Sequence, residues 1–230
     1  MPVQKIKIDG IPALIWGEPS DKVYLHVHGK MSCKESAESF AAIAAERGFQ
    51  TVSFDLPRHG ERKDEPARCD IWNGIRNLST IGDYVFANWK EVSLYGCSLG
   101  AFFSLHAYRE RTFHQCLFQS PILDMSWLIG QMMVWFNVSE ECLRQEREVE
   151  TPIDTLSWDY RQYVLAHPIT RWDSPTRILY GDQDNLQPLA SIEHFARQYG
   201  AQLTIAENCT HPFMEEPERE VVDHWIRENI

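Results

Sequence analysis

Apolar residues along the chain fall into short runs bounded by turn residues, and longer stretches between those runs carry apolar positions at helical spacing. β-branched, aromatic and alternating content marks strands at Lys5–Asp9, Ala13–Gly17, Lys22–His28, Gln50–Asp55, Glu91–Gly96, Phe113–Gln119, Thr176–Gly181 and Gln202–Ala206. Helical patterns occupy Ser36–Arg47, Asn73–Trp89, Leu99–Arg109, Leu189–Tyr199 and Arg219–Glu228. Strands alternating with helices of that length predict an α/β architecture, a mostly parallel eight-stranded sheet with helices on both faces.

The alternation breaks between Pro121 and Asp173, where helix-like segments follow one another with no convincing strand. This predicts a short helical insertion, a lid or cap at about 122–172, after the sixth strand. Its first part, Met125–Phe136, is apolar almost all round, which predicts burial on more than one side. Trp127, Met132 and Trp135 in it are candidates for a substrate pocket, while a second core layer or a homodimer contact is an equally open reading.

With 230 residues, 43% of them hydrophobic, the chain reads as one domain, 1–230, around one sizeable core. No apolar run approaches the roughly 18 residues that cross a bilayer. The opening MPVQKIKIDG alternates polar and apolar residues and lacks the apolar core of a secretory signal. Six cysteines, at 33, 69, 97, 116, 142 and 209, form no CxxC pair, so reduced thiols in a cytoplasm are expected. A formal charge of −11 with no Lys/Arg-rich face argues against a nucleic-acid partner.

The sharpest chemical signal is Gly96-Cys97-Ser98-Leu99-Gly100, set between the apolar strand EVSLYG and the helix-like AFFSLHAYRE. A G-x-S-x-G turn there is so tight that its flanks tolerate almost no side chain, and it projects the hydroxyl from the sheet edge. A serine capping that helix is the bland alternative. A nucleophilic serine needs an imidazole, itself oriented by a carboxylate. Both occur downstream: Asp182-Gln183-Asp184 follows the strand Arg177–Gly181, and Cys209-Thr210-His211 precedes the last helix.

Four ordered blocks resemble the α/β-hydrolase superfamily of serine esterases, lipases and peptidases. Leu25-His26-Val27-His28-Gly29-Lys30 looks like its strand ending in His-Gly, and Phe54 to Glu61 looks like its Asp-x-Pro-x-x-Gly turn. Gly96 to Gly100 is similar to the nucleophile elbow, and Gly181 to Asp184, with Pro188 and His211, resembles the acid and histidine blocks. The resemblance implies Ser98 as nucleophile, His211 as base and Asp184 as orienting acid. Asp182 is a rival for the acid; Asp184 is preferred because the family's acid sits three residues after the strand-terminal Gly. Thr210 stands where the family usually has Gly before the histidine. The resemblance further implies an oxyanion hole of the Leu99 and Lys30 backbone amides, with Met31 as fallback amide and pocket candidate.

The expected activity is hydrolysis of a small-molecule carboxylic ester with a small or medium acyl group, through an acyl-enzyme and without cofactor or metal. Thioester or peptide hydrolysis, acyl transfer on the same triad and a non-catalytic binding module are the alternatives. His26 and His28 alternate onto one strand face, but no carboxylate or cysteine completes a ligand set, so a structural role is expected. Asp55 reads as a turn stabiliser, with Arg58 and His59 in the same loop. Cys97 reads as a small residue packed behind the elbow.

Overall fold

A computed structural model describes residues 1–230. Eight strands, β1 (Val3–Ile8), β2 (Ile11–Trp16), β3 (Lys22–Val27), β4 (Gln50–Phe54), β5 (Glu91–Cys97), β6 (Cys116–Gln119), β9 (Thr176–Gly181) and β10 (Gln202–Ala206), form one sheet. Between β6 and β9 lies a separate hairpin of β7 (Glu148–Glu150) and β8 (Thr155–Ser157). The order across the large sheet is β1-β2-β4-β3-β5-β6-β9-β10. Only β1–β2 and β2–β4 are antiparallel; every other pair is parallel. The mostly parallel eight-stranded sheet expected from the alternation is therefore present.

Helices α1 (Glu38–Glu46), α2 (Ile71–Asn88), α3 (Leu99–Ala107), α7 (Leu189–Tyr199) and α8 (Glu216–Asn229) cover the sheet. The period-2 alternation of the strands sorts the core into two layers. Tyr24, Tyr95, Leu117 and Leu179 face Phe40 and Ile43 of α1 and Trp225 and Ile226 of α8. Their strand neighbours Leu25, Leu94, Phe118 and Ile178 face Leu78 and Ile81 of α2, Phe102 of α3 and Phe195 of α7. Each such side chain, taken fully from water, contributes about 1.5–3 kcal/mol against the entropy of ordering.

Segment 122–172 carries α4 (Met125–Trp135), α5 (Glu140–Glu146), the hairpin and α6 (Trp158–Ala166). The hairpin corrects the expectation of an all-helical insertion. Its strands are three residues long, too short to display an alternating pattern, and Glu148 and Glu150 mask the single apolar Val149. Helix α4 buries Met125, Ile129, Met132 and Met133, whereas Val134 and Trp135 are exposed. The apolar character all round α4 therefore does not translate into burial on every side. No helix is long and apolar enough to cross a membrane.

Candidate active site

Strand β5 runs into α3 through Ser98, whose backbone is held at φ 51°, ψ −117°. For a residue with a Cβ this is strained, at a cost of about 1–3 kcal/mol. The surroundings enforce it. The Ser98 amide donates to the Gln119 carbonyl (3.1 Å), while its carbonyl accepts from the amides of Ala101 (3.1 Å) and Ile122 (3.3 Å). A Cβ on Gly100 would stand 2.4 Å from the Val27 carbonyl oxygen, so only glycine lets α3 start this close to β3.

The turn aims the Ser98 hydroxyl at His211, donating to Nε2 across 2.8 Å. On the other side of the ring Nδ1 lies 2.7 Å from Asp184 Oδ2. A carboxylate only accepts, so Nδ1 carries the proton and Nε2 offers its lone pair to the serine. The Asp184 carboxylate is fully buried, and its second oxygen accepts from the amides of Leu186 (2.8 Å) and Gln187 (3.2 Å). The rival Asp182 is exposed, makes no hydrogen bond to the imidazole and accepts from the Cys209 amide at 3.4 Å. Ser98, His211 and Asp184, distant in sequence, thus form one hydrogen-bonded chain able to move a proton off the hydroxyl.

His211 rides on the loop between β10 and α8, and two side chains hold that loop. Glu218 of α8 accepts from the Thr210 amide (2.6 Å) and hydroxyl (2.8 Å) through one oxygen and from the Glu215 amide (3.1 Å) through the other. Burial pushes the Glu218 carboxyl up, but these donors outweigh burial and hold it below the usual carboxylate range. On the far side of His211, Gln119 Nε2 donates to the Pro212 carbonyl (2.6 Å), and the Tyr95 hydroxyl fixes Gln119 from behind. The threonine in place of glycine before the histidine is therefore a ligand of Glu218.

The Gly29–Lys30 peptide lies beside the nucleophile: a Cβ on Gly29 would approach Ser98 Cβ to 3.2 Å. His28 fixes the orientation of that peptide. Its Nε2 accepts from the Leu56 amide (3.1 Å), so Nδ1 carries the proton and donates to the Gly29 carbonyl (2.7 Å). A trans peptide then turns the Lys30 N–H the opposite way, and that N–H donates to no protein group. Leu99 opens α3 and its amide has no intrahelical acceptor. The Met31 amide, in contrast, donates to His59 Nε2 (3.0 Å), and the Met31 side chain is 91% exposed. Burial pushes the His28 imidazole down to about 4, so it stays neutral near pH 7.

Asp55 is a turn residue. Its carboxylate accepts from the Lys34 amide (2.9 Å), Lys34 Nζ (2.8 Å) and the Glu61 amide (3.0 Å), and both Asp55 and Lys34 are buried. Arg58 reaches the carbonyls of Glu65 and Pro66, and His26 stacks on Tyr95 at 4.7 Å. Burial pushes the Cys97 thiol up to about 12, which removes its thiolate near neutrality. No group of three or more His, Cys, Asp or Glu side chains converges as a metal site. Of the pocket candidates, Trp135 is exposed, Trp127 half-buried and Met132 packed in the core. Two cavities, of about 420 and 180 Å³, are lined by none of Met31, Trp127, Met132 and Trp135.

Sequence reading alone gave no hint of Gln119, Glu218 or the His59 contact. Gln187 was equally silent, although its buried side chain accepts from the amides of Leu123 (2.8 Å) and Asp124 (2.7 Å) and ties the acid loop to the insertion. The one available signal was Glu215-x-x-Glu218 at the head of a helix, the spacing of a capping box.

Comparison with known proteins agrees with this fold. The Alpha/beta hydrolase family matches residues 25–224. A serine hydrolase-like protein of Dictyostelium discoideum is 27% identical over 92 residues, 40% of this chain, and the match spans only 26% of that longer protein. Among solved structures, Est1E from Butyrivibrio proteoclasticus with ferulic acid bound superposes with a TM-score of 0.78 at 18% identity, covering 98% of this chain and 96% of that one. An esterase of Pyrococcus furiosus gives 0.71 at 15% identity over 99% and 89%. The protein belongs to the alpha/beta hydrolase family.

Proposed function

We propose that the protein is a serine hydrolase of carboxylic esters, with Ser98 as nucleophile, His211 as base and Asp184 as the acid that orients it. The observation carrying this reading is the unbroken chain Asp184 Oδ2, His211, Ser98 Oγ at 2.7 and 2.8 Å, beginning at a strained serine. Ser98 Oγ attacks the ester carbonyl carbon while His211 Nε2 takes the hydroxyl proton. The carbonyl oxygen becomes an oxyanion between the amides of Leu99 and Lys30. Collapse breaks the carbon–oxygen bond, and the alkoxide leaves as an alcohol with the proton from His211. Water, deprotonated by the same imidazole, then attacks the acyl-enzyme, releasing the acid and returning the proton to Ser98.

The ferulic acid bound to Est1E and the esterase of P. furiosus support an ester as the first substrate class to test. Each amide donor is worth about 10²- to 10³-fold in rate by analogy with other oxyanion holes. The test is a panel of p-nitrophenyl esters of increasing acyl length, with a matched thioester and an anilide. Ester turnover exceeding both others, lost in Ser98→Ala, supports the proposal. A preference for the anilide, or ester turnover unchanged in Ser98→Ala, overturns it. Formation of acyl-enzyme that partitions to an added alcohol ahead of water would reassign the reaction to acyl transfer.

A further inference from the structure

One cavity, about 420 Å³, is not lined by Ser98, Leu99 or His211. It lies between α3, the start of α4, the end of α6 and α7, and its apolar wall includes Phe102, Leu123, Val164 and Phe195. A second cavity of about 180 Å³ shares His106, His167, Pro168 and Ile169 with it and continues to Arg109 and Arg171. The two together have an apolar end and a nitrogen-rich end, within the size range of small-molecule sites.

The nitrogen-rich end is short of partners. His106 sits edge-on over Phe102 at 4.6 Å, and neither ring nitrogen has a hydrogen-bond partner in the protein. His167 donates Nδ1–H to the Tyr163 carbonyl (2.8 Å), leaving Nε2 unpaired. Arg109 has only Glu110, at 3.9 Å, whereas Arg171 is already held by Glu110 (2.8 Å) and Asp173 (2.6 Å). Burial, then the Arg109 charge and His167, push His106 down to about 4, and the Arg109 guanidinium, with no close carboxylate, is the charge an anion would meet. At the apolar end the one carboxylate, Asp124, is occupied as the cap of α4, accepting from the Trp127 amide (2.9 Å) and the Ser126 hydroxyl (2.7 Å).

We propose that these two adjoining cavities form a second binding site, for a monocarboxylate with an apolar or aromatic body. The body lies against Phe102, Val164 and Phe195, and the carboxylate accepts from Arg109 and the imidazoles of His106 and His167. Such a ligand has the chemistry of the acid released by ester hydrolysis. The site lies one turn of α3 from the nucleophile, since the Phe102 amide donates to the Ser98 carbonyl at 3.4 Å.

The two cavities are present whether or not Ser98 is a nucleophile, and the experiment keeps the two questions apart. Titrate 3-phenylpropanoate into the Ser98→Ala protein by calorimetry, with 3-phenylpropan-1-ol as the uncharged control. The expected result is saturable one-site binding, weakened at least about tenfold by loss of the charge and by Arg109→Gln. Ala190→Phe, which fills the apolar end, abolishes it, and Ala190→Leu is the milder substitute if that variant does not fold. Absence of saturable binding overturns the proposal, as does affinity unchanged by both cavity substitutions, which would put the ligand elsewhere. Failure of ester hydrolysis in wild type would leave this result standing.

Discussion

Replacing Glu218 should uncouple the histidine loop without touching any group that meets substrate. The carboxylate accepts three hydrogen bonds, two of them from Thr210 immediately before His211. Hydrogen bonds to a charged acceptor net about 1.5–3 kcal/mol each. Thr210 is exposed, so water recovers much of its share, and Glu218→Ala should cost about 2–4 kcal/mol of stability. The effect on rate is larger than that loss suggests, because an imidazole displaced by about 1 Å can cost about 10²-fold. We expect kcat on a short acyl ester to fall about 10- to 100-fold with KM changed less than about threefold. Glu215→Ala is the control: it removes the carboxylate that caps α8 through the Glu218 amide but leaves the Thr210 bonds in place. It should cost about 1 kcal/mol and little activity. Acid gives an independent readout. The folded Glu218 carboxyl lies below its unfolded value of about 4.3, so its stabilisation is complete above that pH and is lost as pH falls through the depressed value. Glu218→Gln should lack that acid-dependent component. The reasoning is refuted if Glu218→Ala keeps wild-type kcat, or if Glu215→Ala loses as much as Glu218→Ala.

Three further outcomes follow from the geometry. Asp184→Asn should lower kcat/KM by about 10²- to 10⁴-fold, whereas Asp182→Asn, aimed at the Cys209 amide, should change it less than about fivefold in the same steady-state assay. Gly60→Ala should cost at least about 2 kcal/mol in urea denaturation, because Gly60 has φ 53° and a Cβ there would meet Asp55 Oδ1 at 2.1 Å. Burial holds His26 at about 3 and His28 at about 4, below an unfolded value of about 6.5, so the unfolded chain binds more protons and stability declines as pH falls below about 6.5. His26→Phe, which also removes an unpartnered buried nitrogen, should recover about 2 kcal/mol at pH 5, seen as a higher urea midpoint there.

The fold was legible because the strands advertise themselves locally. β9, β10 and β5 are short apolar runs closed by turn residues, and the bounds of α7 follow from Pro188 before it and Gly200 after it. The candidate catalytic residues were legible for a different reason: sharp turns at strand ends demand glycine, and Gly100 and Gly181 each make an approach that a Cβ would block, while one on Gly29 would be crowded. The supports of the site left no such trace. Gln119 meets Pro212 across 93 positions and Gln187 meets Asp124 across 63, and a glutamine in either place looks like any other in the sequence. The β7–β8 hairpin escaped because three residues cannot display a period, and the exposed face of α4 escaped because hydropathy does not record which side has a partner.

The central claim, that His211 activates Ser98, is tested most directly by labelling the protein with a fluorophosphonate. The reagent reacts only with an activated nucleophile and needs no knowledge of the substrate. The account predicts stoichiometric labelling of wild type at Ser98, abolished in Ser98→Ala and slowed at least about a hundredfold in His211→Ala. Folded wild-type protein that takes no label, or that is labelled equally fast without His211, would contradict it.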